Sequence, residues 1–201
     1  FYECGFPEIT LPEGLTAIGS SAFARSQLEN IVIPSTVTDL PGCFANCTRL
    51  ASVTIPPTVS SIGAGTFTAT ALTSVSLPGV SHVGTNAFKD CTRLTAVTFS
   101  DSIREIGGRA FAGCTALTEI DLPVNLWKIG YGYATFQGCT GIRKVSSRSV
   151  IPPVAGAVLD NCDMNAVTLY VPAMSVGAYR SATGWSAFPT ILPLEEKTRL
   201  I

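Results

Sequence analysis

A sequence unit of about 22 residues recurs along almost the whole chain. The plainest copy runs from Phe44 to Gly63 and reads FANCTRLASVTIPPTVSSIG, and a second clear copy begins at Phe88. Self-similarity at a fixed period of 20 to 50 residues is typical of solenoids, in which each unit packs only on its neighbours. The repeat therefore predicts the fold class before any single residue is considered.

Each unit contains a segment of the form Leu-x-x-Ile-x-Ile, whose last three positions alternate apolar and polar. Alternation with a period of two residues indicates a β-strand with one buried face. Proline follows the segment in five units, and because proline has no amide hydrogen it cannot continue a hydrogen-bonded ladder. We therefore predict one short parallel strand per coil, carried by Phe6/Ile9/Leu11, Leu28/Ile31/Ile33, Leu50/Val53/Ile55, Leu72/Val75/Leu77, Leu94/Val97/Phe99, Leu117/Ile120/Leu122, Ile142/Val145 and Met164/Val167/Leu169.

The rest of each unit must return the chain to the start of the next strand. Ile-Gly or a near relative is followed by a small residue and phenylalanine, as in Ile18-Gly19 and then Ala22-Phe23. Ile18, Ala22, Phe23 and Ser26 lie at helical spacing. We therefore predict a short helical or 3₁₀ turn on the side of each coil opposite the strand.

The repeat favours one continuous domain with a cap at its C-terminal end. We assign residues 1–171 to the solenoid; it starts in mid-coil at Phe1, and we expect further sequence upstream. Residues 172–193 are predicted to form the cap, with a short helix that begins after Ser175. Residues 194–201 form a tail. The side chains expected to cover the last coil are Tyr179, Trp185 and Phe188.

Seven cysteines raise the question of disulfides or a metal site. Six of them follow the Phe position by three residues, and Ser26 and Thr70 take the same place in other units. Cys43 occupies a slot that alanine or threonine takes elsewhere. Interchange among small residues favours a buried, weakly polar side chain. We expect a column of reduced, buried thiols; the alternatives are a metal site or disulfides among Cys91, Cys114 and Cys139.

Composition and charge argue against two classes of partner. The net charge is −1 and no cluster of lysine or arginine stands out. The electrostatic pattern of a nucleic-acid-binding protein is therefore absent, and so is a basic anchor for an anionic membrane. No run of 18 apolar residues is present, so no membrane-spanning segment is predicted. No signal peptide is visible at Phe1.

Taken together, the repeated positions give the pattern Ala-Phe-x-x-Cys-x-x-Leu-x-x-Ile-x-Ile-Pro-x-x-Val-x-x-Ile-Gly. This pattern resembles the BspA-type, or treponemal-type, leucine-rich repeat of bacterial surface proteins, over roughly residues 1–171. The resemblance implies a right-handed leucine-rich-repeat superhelix in an exported, extracellular or cell-surface protein. It also implies adhesin-like contact with a host extracellular protein or glycan, without catalytic residues, cofactor or metal. We expect a monomer.

Two groups of residues are candidates for ligand contact. The outward positions of the predicted strands form a strip of small hydroxyl side chains with one charged end: Asn30, Ser52, Thr54, Ser74, Ser76, Thr98, Glu119, Asp121 and Lys144. Concave repeat surfaces commonly bind partners, although serine and threonine also suit exposed strands. The second group is aromatic and lies in a lengthened coil: Trp127, Tyr131 and Tyr133. These rings either bind a sugar or protein or pack on a neighbouring coil.

The sequence supports a non-catalytic binding module, with a structural spacer as the alternative. An enzyme is disfavoured because the two carboxylates that share a face, Glu119 and Asp121, lie on an open strand beside Lys144. Glycosidases with paired carboxylates need an enclosed site that raises the pKa of one acid. The only histidine, His82, lies in the turn-back segment and is expected at the surface.

Overall fold

The computed structural model describes residues 1–195 as one stack of coils whose strands pair in parallel with those of neighbouring coils. The predicted fold class, a parallel repeat solenoid with one short strand per coil and few helices, is confirmed. The predicted tail extends past Glu195, and positions 196–201 lie outside the described residues. Among residues 1–195 there is no helix whose length and hydropathy would let it cross a membrane.

Eight strands form what we call the front face. They pair in three ladders of two, two and four strands, and the interruptions fall after the second and the fourth strand. Along these strands the apolar side chains point into the solenoid and the polar ones point outward. The strands are Asn30–Val32, Ser52–Thr54, Ser74–Leu77, Ala96–Phe99, Glu119–Leu122, Lys144–Ser147, Thr168–Val171 and Thr190–Pro193.

A second ladder, which the sequence did not predict, forms the rear sheet. It consists of six two-residue strands. Each strand ends at the isoleucine of the Ile-Gly pair or at the equivalent position of its coil. The strands are Asp39–Leu40, Ser61–Ile62, His82–Val83, Glu105–Ile106, Lys128–Ile129 and Val154–Ala155. A further parallel pair, Phe136–Gln137 with Leu159–Asp160, lies in the turns of the last two full coils.

The turn that follows each rear strand is not a helix, and its backbone explains why. From Phe23 to Phe111 the residues two before and two after each phenylalanine of the column have positive φ, as Ser21 and Arg25 do around Phe23. Two left-handed residues four positions apart interrupt a right-handed helix. Alternate amides then bond across coils: Phe23 N–H donates to Cys43 O at 2.9 Å, whereas Ala24 N–H donates locally to Ser21 O at 3.1 Å.

Phenylalanine rings form a continuous column through the core. From Phe23 to Phe136, neighbouring rings are stacked with their centres 5.0–5.5 Å apart and their planes within 16°. This spacing is close to the separation of adjacent strands, about 4.8 Å. One ring per coil can therefore stack on the next without any change of side-chain direction, and the column extends to Phe1.

The predicted column of reduced thiols runs beside the phenylalanines. All seven cysteines are free; five are buried, while Cys4 and Cys162 are partly exposed. A buried thiol bonds to the backbone of the preceding coil: Cys47 Sγ donates to Phe23 O at 2.9 Å, and Cys91 Sγ to Phe67 O at 3.0 Å. The same carbonyl of Phe23 accepts the amide of Ser26. The carbonyl oxygen of Phe23 therefore accepts two hydrogen bonds, one from an amide and one from a thiol. Both of its lone pairs are used inside the core.

Two predicted strands differ from the structure. No strand forms at Phe6/Ile9/Leu11, where Pro7 has no amide to donate and only its carbonyl pairs, with Glu29 N–H at 2.8 Å. In the last coil, Leu169 rather than Val167 lies opposite Val145. A 3₁₀ helix at Met164–Ala166 takes up the residues before this strand. Because the shift is two residues, the buried and outward faces are unchanged.

The C-terminal segment covers the last coil. A 3₁₀ helix at Ala173–Ser175 leads into an α-helix at Val176–Ser181. Ser175 is the N-cap residue as predicted, but its hydroxyl donates to Val150 O at 2.7 Å and makes no cap hydrogen bond. Tyr179, Trp185 and Phe188 are buried as expected; the Trp185 indole N–H donates to Pro153 O at 2.8 Å.

Close coil packing predicts different effects for two glycine substitutions. A Cβ atom on Gly84 would lie 2.7 Å from Ala64 N and 2.8 Å from Gly63 C, both in the backbone of the preceding coil. At Gly14 a Cβ atom would meet no heavy atom within 4 Å. We expect Gly84→Ala to lower the free energy of unfolding by about 1–3 kcal/mol, the usual cost of overpacking. Gly14→Ala should change it by less than about 0.5 kcal/mol. Urea unfolding followed by circular dichroism measures both, and equal midpoints would contradict the packing shown here.

Candidate functional site

A concavity of the front face lies toward its C-terminal end. This front depression has a volume of about 970 Å³ and spans the strands from Ala96–Phe99 to Thr168–Val171. Four of the predicted contact residues line it: Thr98, Glu119, Asp121 and Lys144. The strand register places Glu119 beside Lys144 and Asp121 beside Ser146. The charged end of the predicted strip is therefore also the concave end.

The other predicted strip residues lie on the same face, nearer the N-terminal coils, and do not line the front depression. All of them are exposed, and the register places Asn30 beside Ser52 and Val32 beside Thr54. These residues form an uncharged surface that adjoins the depression. They are Asn30, Ser52, Thr54, Ser74 and Ser76.

An arginine that the sequence analysis missed organises the charges of the front depression. Arg148 Nε lies 3.5 Å from Asp121 Oδ1, and its Nη2 lies 3.7 Å from Asp101 Oδ1. Lys144 Nζ lies 5.5 Å from the centre of the Tyr170 ring, in cation–π geometry. Glu119 makes no ion pair within 4.0 Å among residues 1–195. Within residues 1–195 the depression therefore presents Glu119 without an ion-pair partner, close to an arginine that is paired.

Two more lining residues differ from the sequence prediction. Ser146 follows the outward residue Lys144 by two positions, which places it on the same outward face of the strand, but only 6% of it is exposed. Its outward neighbour in the register is Tyr170, a large side chain that covers it from the next strand. The sequence prediction aligned Val167 with Val145, two residues before the residue that pairs with it in the structure. Tyr170 was therefore not recognised as an outward residue of the strand. Correct alignment of Leu169 with Val145 in the sequence would have placed Tyr170 in the outward row.

The aromatic candidates lie apart from the front depression. Trp127, Tyr131 and Tyr133 are all exposed and follow or flank the rear strand Lys128–Ile129. Tyr131 lines a separate rear groove of about 340 Å³, and the linings of the two concavities share no residue. The structure therefore divides the predicted contact residues between two surfaces.

Three of the buried cysteines, Cys43, Cys47 and Cys114, are held in their neutral form. Burial raises the pKa of the Cys43 thiol from 9.0 to about 12, and burial also raises the pKa of Cys47. Hydrogen bonds with Cys139 and Cys91, together with burial, raise the pKa of Cys114. A thiol held in its neutral form is a weak nucleophile and a poor metal ligand. Among residues 1–195 no group of three or more histidine, cysteine or acidic side chains is placed to hold a metal ion.

Comparison with known proteins identifies the repeat. The sequence profile of the BspA type leucine rich repeat region matches residues 1–91 and 66–179, with six copies. No curated protein gives a significant match. A leucine-rich repeat protein from Bacteroides ovatus has a similar structure, with a TM-score of 0.57 and 22% identity, over 92% of this chain and 60% of that one.

Two other solved structures match less well. A leucine rich cell surface protein from Faecalibacterium prausnitzii has a TM-score of 0.39 and 21% identity, over 85% of this chain and 61% of that one. A leucine rich repeat protein of T. pallidum has a TM-score of 0.46 and 20% identity, over 85% of this chain and 75% of that one. At this identity the B. ovatus match shows the fold alone. This chain spans less than two thirds of the B. ovatus and F. prausnitzii proteins.

The raised thiol pKa values predict a loss of stability in alkali. Between pH 9.0 and about 12 the unfolded chain releases the proton of Cys43 while the folded chain keeps it. Rising pH therefore favours unfolding over this range. Cys43→Ala, which places alanine in a slot where other coils have it, should reduce this dependence without disrupting the fold.

The measurement is urea unfolding at pH 7 and at about pH 10.5 under reducing conditions. We expect the difference in unfolding free energy between the two pH values to be smaller in Cys43→Ala than in the wild type. Ser35→Ala, at an exposed turn position, is the matched control. An identical pH dependence in all three proteins would show that Cys43 is accessible to water or ionised in the folded state.

Proposed function

Because the chain belongs to the BspA-type leucine-rich repeat family, we propose that it is a non-catalytic binding module exposed on a bacterial surface. It contacts a host extracellular protein or glycan through the front face, with the front depression as the centre of contact. The export and surface position follow from the sequence resemblance to bacterial surface proteins. The front depression, which gathers four predicted contact residues and two aromatic or cationic side chains, is the observation that carries the proposal.

The dimensions of the front face suit a macromolecular partner. Eight strands about 4.8 Å apart give a surface roughly 34 Å long. A specific protein–protein interface buries about 800 Å² per partner, so such a contact would cover the whole strand face and extend onto the flanking turns. The outward side chains along most of it are short, so that a partner can approach the strands closely. This geometry favours a protein over a small metabolite as the partner.

The polar groups of the front depression give such an interface its specificity. Glu119 is exposed and unpaired, so a cationic side chain of the partner can approach it without first breaking an ion pair. Tyr170 offers the kind of rigid aromatic surface that is enriched at binding hot spots. Asp121 is held by Arg148, which limits the number of side chains that must become ordered on binding.

Nothing in the front depression resembles an acid–base catalytic pair. Glu119 and Asp121 are both exposed, and the nearest cation to Asp121 neutralises it. Acid–base catalysis by paired carboxylates relies on different surroundings for the two acids, whereas both side chains here are exposed at outward positions of one strand. The same carboxylates serve readily as hydrogen-bond acceptors in a binding surface.

The test is an array of host matrix proteins and glycans probed with the whole chain, followed by affinity measurement on any partner found. We expect Glu119→Lys to weaken binding at least tenfold, because it reverses the charge at the centre of the depression. Glu119→Gln, which keeps the shape but removes the charge, should have a smaller effect. Glu8→Lys makes the same charge reversal at an exposed position in the first coil and serves as the control.

Two results would overturn the proposal. One is a partner whose affinity is the same for the wild type and for Glu119→Lys, Lys144→Glu and Tyr170→Ala. The other is the absence of any partner when the full-length protein carries a separate domain with its own binding activity. The second result would favour the structural spacer.

A further inference from the structure

The rear groove is a second concavity with its own chemistry. It crosses four neighbouring rear strands, from Ser61–Ile62 to Lys128–Ile129, and has a volume of about 340 Å³. Four strands about 4.8 Å apart make it roughly 14 Å long. The register brings His82, Glu105 and Lys128 into one row along one wall of the groove. It contains no front-face residue, so it is independent of the proposed front contact.

Glycines make the floor of the rear groove. Gly63, Gly84 and Gly107 follow the rear strands, and a Cβ atom on each would lie within about 3.0 Å of the preceding coil's backbone. These positions therefore carry no side chain because the preceding coil packs directly against them. The amide N–H groups of Thr85 and Gly108, which also line the groove, donate no hydrogen bond within residues 1–195. Of these two residues only Thr85 is exposed, because Gly108 is buried beneath the backbone of the Tyr131 loop.

An inserted loop closes one end of the rear groove. The segment from Ile129 to Phe136 is two residues longer than the corresponding segment from Ile106 to Phe111. Gly130 and Gly132 have φ values of +65° and +80°, which allow the loop to turn back toward the preceding coil.

The loop lies over the preceding coil and is held there. Tyr131 O would be only 2.9 Å from a Cβ atom on Gly108, so the two backbones are in close contact. The Arg109 guanidinium stacks on the Tyr133 ring at 3.8 Å from its centre. Tyr133 is therefore occupied in fixing the loop, which leaves Tyr131 as the ring presented to the groove.

Tyr131 has the features of a binding platform rather than of a packing residue. It is 77% exposed, although it is a large aromatic side chain. Lys128 Nζ lies 4.7 Å from the centre of its ring and 5.5 Å from that of Trp127, in cation–π geometry at both. These contacts orient the ring without covering it. The polar groups nearby mix donors and acceptors, because Glu105 accepts while Lys128 donates.

The histidine of the groove is also oriented. His82 Nδ1 lies 2.7 Å from Ser81 Oγ, and the other ring nitrogen remains available to a ligand. His82, Glu105 and Lys128 are spaced by the coil repeat, about 4.8 Å from one to the next. The groove therefore offers regularly spaced hydrogen-bonding groups along its wall and one aromatic ring at its end.

We infer that the rear groove binds a short neutral oligosaccharide, with one sugar ring stacked on Tyr131. The polarised C–H face of a pyranose complements the negative face of an aromatic ring. Its hydroxyl groups both donate and accept, which matches the alternation of His82, Glu105 and Lys128. A strongly anionic ligand would meet the Glu105 carboxylate. A protein partner would need a desolvated apolar anchor pocket, and the glycine floor supplies none.

Titration of the whole chain with neutral trisaccharides, namely maltotriose, cellotriose, xylotriose and chitotriose, tests the inference. Calorimetry gives the affinity, and fluorescence identifies the site, because Trp127 is exposed beside Lys128 whereas Trp185 is buried. We expect at least one trisaccharide to bind and to protect Trp127 from acrylamide quenching. Tyr131→Ala should weaken that binding about tenfold or more, and Glu105→Gln should weaken it several-fold.

Tyr2→Ala, which removes an exposed tyrosine at the opposite end of the chain, is the matched control and should leave the affinity unchanged. The inference is overturned if none of the four sugars binds, if Tyr131→Ala binds as well as the wild type, or if Trp127 stays open to quenching. Binding of acidic sugars or peptides alone would also overturn it. The front contact is tested with Glu119→Lys and the rear groove with Tyr131→Ala, so either proposal can fail while the other stands.

Discussion

Contact between successive coils is the interaction on which the rest of the structure depends. A coil of about 22 residues buries too few side chains to offset the conformational entropy of its own backbone. Its neighbours supply the remainder through parallel ladders on two sides, a stacked ring in each coil and a thiol that bonds to the preceding phenylalanine carbonyl. These contacts recur at the spacing of adjacent strands, so any residue that changes the coil spacing disturbs both neighbours. Gly84 shows how little space is left between coils, since one added methyl group would lie 2.7 Å from the backbone of the preceding coil.

The candidate binding surfaces lie where the repeat becomes irregular. The front depression forms beside the last coil, whose 3₁₀ helix shifts the strand by two residues and brings Tyr170 into the outward row. The rear groove is closed by a two-residue insertion that carries Tyr131. Both irregularities leave the core columns intact, because Phe136 still stacks on Phe111 and Cys139 Sγ still donates to Phe111 O. The scaffold thus accommodates local differences on its surface without loss of packing inside.

Sequence reasoning succeeded where a residue's environment repeats and failed where it depends on one particular neighbour. The buried positions around Leu50 and Phe88 were predictable because each recurs at the same place in several units. The rear sheet was missed because two-residue strands leave no periodicity of their own to detect. The turns were predicted as helical because Ile18, Ala22 and Phe23 have helical spacing, but positive φ at Ser21 and Arg25 prevents a helix. Arg148 was missed because its role comes from two aspartates on different coils, Asp101 and Asp121.

The sequence alone determined that this chain is a stacked solenoid of the BspA type, with its phenylalanines and most of its cysteines inside and its hydroxyl residues on one outer face. It could do so because a repeat specifies the same local environment many times. Only the tertiary structure decided that each of the two predicted groups lies beside its own concavity, one around Glu119 and one around Tyr131. It also decided which charges are paired and which are free to meet a ligand. The physical reason is that side chains from different coils meet at distances set by register and by a two-residue insertion, and no single repeat unit contains that information.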